Sequence, residues 1–165
     1  MIGEKMIKIY FDMDGTVADF YGQKDWLAKL ENEEPGAFIN CVPLFGDKFL
    51  KMVNKCLERG IQFGIITWLP MQASVEYEKI CEQEKRDWVK EHMPFITDFC
   101  ALSYGIPKQY GIKKHVANEI LIDDNTDVIE RWNTKRQRIG YLVDCMEDVT
   151  QLLEQVMDDF DIDID

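Results

Sequence analysis

Two aspartates separated by one residue, Asp12 and Asp14, close the run Ile7-Lys8-Ile9-Tyr10-Phe11-Asp12-Met13-Asp14-Gly15-Thr16. The residues before them are apolar, β-branched and aromatic, which reads as a buried strand, and Gly15 supplies backbone freedom where the strand must stop. Side chains alternate along a strand, so carboxylates two residues apart share a face while the chain stays extended. At a strand's carboxyl end such a pair can bind a hard divalent cation and divide nucleophilic and acid–base work. An acidic pair on a buried run is costly to keep without a cation or hydrogen-bonding partners. A threonine, Thr67, closes a second apolar run at Ile65-Ile66, and a second acidic pair, Asp123-Asp124, closes a third at Ile120-Leu121-Ile122.

The elements that would position these residues alternate between strand and helix. Ile7 to Phe11, Ile61 to Thr67, Glu119 to Asp123 and Arg138 to Val143 read as strands, with Phe95 to Leu102 a weaker one. Asp47 to Arg59 reads as a helix with Phe49, Leu50, Val53 and Leu57 along one face and Gly60 as its stop. Gln72 to Glu91 is a longer, highly charged helix ending before Pro94. Thr126 to Arg136 is a short helix with Thr126 as its cap, and Met146 to Phe160 closes the chain with Val149, Leu152, Leu153 and Val156 on its buried side. This rhythm predicts an α/β fold, a Rossmann-like parallel sheet with helices on both faces, in a single domain spanning 1–165. In such sheets the site lies outside the carboxyl ends of the strands, where Asp12, Asp14, Thr67, Asp123 and Asp124 all fall. Residues 19–45 break the rhythm directly after the first strand and are expected to form a small helical cap. The acidic terminus, 158–165, is expected to fray.

Composition narrows the function. The net charge of −12 argues against broad binding to nucleic acid, although local lysines and a metal would still admit a small phosphorylated substrate. No apolar run reaches membrane-spanning length and the first residues carry no signal-peptide pattern, so a cytoplasmic protein with no membrane partner is expected. The five cysteines are scattered and form no CxxC pair, which suits reduced structural thiols rather than disulfides or zinc. Two distant histidines, His92 and His115, make a histidine metal site improbable.

With these residues in view, the chain resembles the haloacid dehalogenase superfamily of phosphotransferases. Asp12-Met13-Asp14-Gly15-Thr16 matches its DxDGT motif, Ile65-Ile66-Thr67 its strand-end threonine, and Ile120-Leu121-Ile122-Asp123-Asp124 its late acidic pair. Lys108, in Tyr104-Gly105-Ile106-Pro107-Lys108, is taken as the motif lysine, with Lys113 and Lys114 as alternatives nearby. The resemblance implies a phosphatase that uses Mg2+, held by Asp12, the Asp14 backbone carbonyl and Asp123. It implies Asp12 as nucleophile, Asp14 as acid and base, Thr67 holding the phosphoryl oxygens and Lys108 neutralising charge. Asp124 is either a supporting residue behind metal or lysine, or a cap for the next helix, while Asp127 reads as a first-turn helix charge.

Asp12 to Phe20, together with Leu121 to Asp124, is similar to the 5′(3′)-deoxyribonucleotidase branch, whose substrates are nucleoside monophosphates. The chain departs from that branch in its short cap and in Trp68-Leu69-Pro70 after Thr67, where the branch has serine-proline. Phe20, Tyr21, Trp26, Phe38 and Trp68 could stack on a nucleobase, or could serve as the cap's own core. Two other readings compete. A response-regulator receiver domain would place its acidic pair early and its phosphorylated aspartate on the third strand, the reverse of the order here. A non-catalytic phosphate-binding or regulatory protein of the same fold would be favoured by loss of Asp12 or Asp14, and both are present.

Overall fold

The apolar run that ends in the two aspartates forms β1 (Ile7–Phe11), the middle strand of a five-stranded sheet. In this computed structural model, which describes residues 6–162, β1 is followed by β2 (Ala18–Asp19), α1 (Trp26–Glu31), β3 (Val42–Pro43) and α2 (Asp47–Glu58). Then come β4 (Gln62–Trp68), α3 (Val75–His92), β5 (Asp98–Leu102), a 3-10 turn (Lys108–Gly111), β6 (Asn118–Asp123), α4 (Thr126–Trp132), β7 (Arg138–Leu142) and α5 (Val149–Asp159). The sheet runs β5-β4-β1-β6-β7 and every pairing in it is parallel. Helices lie on both faces, the Rossmann-like α/β arrangement that alternating strands and helices demand.

The two faces are unequally covered. Ile9 and Phe11 of β1 meet Phe49 and Val53 of α2, Trp88 and Val89 of α3, and the apolar side of α5. The opposite side chain of β1, Tyr10, meets a smaller cluster built from α4 (Val128, Ile129, Trp132) and Ile112 after the 3-10 turn. Alternation along β1 thus sends Ile9 and Phe11 to the thick side and Tyr10 and Asp12 to the thin one. The thin side leaves room for the 3-10 turn to reach the strand ends.

Several local expectations shift by a turn. The buried stripe of α2 is Phe49, Met52, Val53 and Cys56, while Leu57 is exposed. Gly60 stops this helix at φ 77°, a conformation costly for residues with a Cβ. α3 begins at Val75, because Ser74 accepts from Tyr77 N and caps it there. α4 is capped by Asn125, which accepts from Val128 N, so neither Thr126 nor Asp124 has that role. β5 starts only at Asp98; Phe95 and Ile96 precede it as core-packing residues.

The acidic terminus is more anchored than expected. α5 continues to Asp159, which accepts from the Tyr141 hydroxyl at 2.7 Å, and Ile162 is buried. The rest of that tail, 163–165, lies outside the described residues.

Residues 19–45 carry one short helix and the two-stranded β2–β3 ribbon. Their aromatic residues pack on one another, with the Phe20 and Phe38 rings stacked 4.7 Å apart and Trp26 edge-on to Phe20 at 5.6 Å. The segment is pinned to α3. Glu84 accepts from Gly36 N at 2.9 Å and Phe38 N at 3.3 Å, and Trp88 Nε1 donates to the Cys41 carbonyl at 2.8 Å. The Tyr77 hydroxyl donates to the Glu34 carbonyl at 2.9 Å.

Candidate active site

Strand register brings the two acidic motifs together. Phe11 pairs with Ile122, and Asp12 N donates to the Ile122 carbonyl at 3.0 Å, so Asp12 and Asp123 leave the sheet side by side. Between them stands Lys108, the first residue of the 3-10 turn. Its Nζ donates to Asp12 Oδ1 and Asp123 Oδ2, both at 2.6 Å, and its side chain is 3% exposed. Burial disfavours the ammonium, yet the charges of Asp12 and Asp123 outweigh it and hold Lys108 above its ordinary range. The geometry also separates the three lysines. Lys113 pairs with Asp98 at 3.2 Å, and Lys114 is exposed.

Asp124 joins this acidic cluster. Carboxylate oxygens of Asp12, Asp123 and Asp124 come within 4.8 Å of one another. Asp124 is the exposed member of the cluster, and partial desolvation followed by the charges of Asp12 and Asp123 raises it above the carboxylate range; burial and Asp12 lift Asp123, with Lys108 opposing. Gly15 makes room for the arrangement. It sits at φ 77°, and a Cβ there would collide with the Asp124 carboxylate. Three carboxylates converging with one lysine form an all-oxygen donor set with surplus negative charge. That chemistry fits a hard divalent cation such as Mg2+, without distinguishing it from Ca2+.

Asp14 stands apart from that cluster. Its Oδ2 accepts from Lys85 Nζ at 2.7 Å, while Oδ1 is buried with no partner. Burial raises its affinity for a proton, against the opposing pull of Lys85. Lys85 is wholly buried on α3 and also donates to Thr67 Oγ1 at 2.9 Å and to the Trp68 carbonyl at 2.8 Å. The sequence reading missed Lys85. Its signal was available, since Tyr77, Cys81, Lys85 and Trp88 form the buried stripe of α3, with a lysine where an apolar residue belongs.

Thr67 lies apart from the lining of the cleft above the strand ends and is 0% exposed. Thr67 falls on the same side of β4 as Ile65, facing α3, so its hydroxyl meets Lys85 beneath the cleft floor. Asp12, Asp14, Lys108, Asp123, Asp124 and Trp68 do line that cleft, whose volume is about 570 Å³. This lies in the range of small-molecule sites.

The cap forms the opposite wall through Tyr21 and Trp26, which meet edge-on at 5.1 Å. Trp68 lies 4.9 Å from Tyr104, and its Nε1 donates to the Ile106 carbonyl at 2.8 Å. The indole therefore steadies the loop that delivers Lys108, whose Nζ is 5.5 Å from the Trp68 ring. Phe38 and Trp26 both serve cap packing and the cleft wall, Phe38 as a buried residue and Trp26 as a half-buried one.

Compared with known proteins, the chain matches no protein-family model, and no curated protein matches it significantly. No helix among the described residues is long and apolar enough to cross a membrane.

Proposed function

We propose that the chain is a Mg2+-dependent phosphomonoesterase of the haloacid dehalogenase type, acting through an aspartyl-phosphate on Asp12. One observation carries the reading: Lys108 bridges Asp12 and Asp123 at 2.6 Å in a cleft that Asp14 also lines. That arrangement supports reading Asp12 as nucleophile, Lys108 as charge-neutralising cation and Asp14 as a separate proton carrier around one substrate-sized volume.

Asp12, Asp123 and Asp124, with the Asp14 carbonyl, would hold the metal, which supplies charge neutralisation for the phosphoryl oxygens. In the first half-reaction an Asp12 carboxylate oxygen bonds to phosphorus as the ester P–O bond breaks, and the leaving alkoxide takes a proton from Asp14. In the second, water bonds to phosphorus and gives its proton to Asp14; the P–O bond to Asp12 then breaks and inorganic phosphate leaves. Lys108 donates to Asp12 and would offset the repulsion between nucleophile and phosphoryl oxygens. Thr67 acts from below, on Lys85, rather than on the phosphate.

The aromatic walls suit a planar leaving group, so a nucleoside monophosphate is the leading substrate and a sugar phosphate the next. The test is phosphate release from a panel of nucleoside monophosphates and sugar phosphates, with Mg2+ and with chelator, beside Asp12→Asn. Magnesium-dependent release, lowered on the order of 10⁴-fold or more in the variant, is expected. Folded protein that releases phosphate from no ester would instead favour a non-catalytic phosphate-binding role.

A further inference from the structure

The two buried lysines at the cleft do different things. Lys108 lines the cleft and touches the proposed nucleophile. Lys85 lies beneath the floor, wholly buried, and its three hydrogen-bond acceptors are Asp14 Oδ2, Thr67 Oγ1 and the Trp68 carbonyl. An ammonium has three protons, so this set uses all of them and fixes the group in one orientation. It leaves Lys85 no proton for a phosphate. It also fixes Asp14 by Oδ2, leaving Oδ1 without a hydrogen-bond partner.

The same turn of α3 holds the cap. Glu84, the residue before Lys85, accepts from Gly36 N and Phe38 N, and the Phe38 ring centre is 4.5 Å from Lys85 Nζ. A cation against an aromatic face, away from water, is held by packing as well as by hydrogen bonds.

We propose that Lys85 is a positioning residue for Asp14, and that its own placement depends on the cap being seated on α3 through Glu84 and Phe38. This rests on the phosphatase reading above. Lys85 acts by holding a carboxyl group in place: with Oδ2 fixed, Asp14 stays at the cleft and passes its proton to the ester oxygen as its bond to phosphorus breaks. Nothing in the step requires Lys85 to gain or lose a proton or to touch substrate.

The assignment separates positioning from phosphate binding by the leaving group. An alkyl phosphate needs a proton on its departing oxygen, whereas 4-nitrophenyl phosphate releases a stable anion without one. In Lys85→Met, kcat/KM for the alkyl ester is expected to fall about 10²-fold, the lower end of what a positioned acid contributes. The value for the aryl ester should change a few-fold at most, and inhibition by inorganic phosphate should be unchanged.

Glu84→Gln, which touches neither substrate nor cleft, should show the same asymmetry at smaller size, and it provides the test if the Met variant fails to fold. Equal losses on both esters, or weakened phosphate inhibition, would make Lys85 a phosphate ligand and overturn the proposal. No asymmetry in Glu84→Gln would overturn the cap linkage. If the wild type cleaves neither ester, the phosphatase reading itself has failed, and this assignment falls with it.

Discussion

Lys108 and Lys85 stand on opposite sides of the same strand end, and each is almost fully buried beside a carboxylate. Lys108 arrives on the thin side of the sheet, from a 3-10 turn, into a cluster with more negative charge than it can balance. Lys85 arrives on the thick side, from the middle of α3, with a neutral hydroxyl and a carbonyl completing its hydrogen bonds. The contrast separates two uses of a buried cation. One side keeps an unbalanced charge, where a metal and a phosphate can be recruited. The other is closed by its own hydrogen bonds, which suits holding a group still.

The largest effect that can break this comparison is on activity and on metal rescue. Lys108→Met is expected to lower phosphate release by about 10²–10³-fold, while Lys113→Met leaves it near wild type. Removing either buried cation leaves a carboxylate uncompensated, at a cost of about 3–5 kcal/mol. Thermal melts with and without Mg2+ should then diverge. On the proposed reading the divalent ion binds the same acidic cluster, so it should restore much of the lost Tm in Lys108→Met and little in Lys85→Met. Equal rescue of both would erase the distinction between the two sides.

Next in size is Gly15→Ala. The left-handed backbone costs an alanine about 1–2 kcal/mol, and the new methyl displaces the Asp124 carboxylate. A lower Tm together with weaker Mg2+ binding by calorimetry is expected. A lower Tm with unchanged metal affinity would remove Asp124 from the metal-binding set.

The smallest effect concerns pH. Desolvation and mutual repulsion push Asp123 up to about 6 and Asp124 up to about 8, above their values in an unfolded chain. Carboxyls raised in this way cost the metal-free fold nothing below the unfolded value near 4. The cost grows as pH climbs through the folded values. A bound divalent ion relieves that repulsion, so the Tm gained on adding Mg2+ should be larger at pH 8 than at pH 5. A gain independent of pH would mean that the ion binds elsewhere.

The strand-borne half of the site was legible in the sequence because strands announce their ends. An apolar run that stops at an aspartate fixes both the element and the place of the side chain, and parallel register does the rest for Asp12 and Asp123. Lys85 was obscured because its partners lie 71 and 18 residues away, and a helix rich in charge hides one more lysine. Only its place on the buried stripe of α3 marks it. Thr67 shows the converse. Its type and position were right for a strand end, but the parity of β4 turns it toward α3, and only the assembled sheet reveals what it meets there. Gly60 and the apolar side of α5 were readable from local pattern alone, whereas the cap's attachment to α3 required tertiary contacts.

The central claim is that Asp12 forms a bond to phosphorus. Its most direct test is a rapid acid quench during turnover of an ester labelled in the phosphoryl group, followed by peptide mapping. Label on the peptide carrying Asp12, absent with chelator and absent in Asp12→Asn, is the result predicted here. Labelled inorganic phosphate appearing with no label on protein at any time, or label on a different residue, would contradict it.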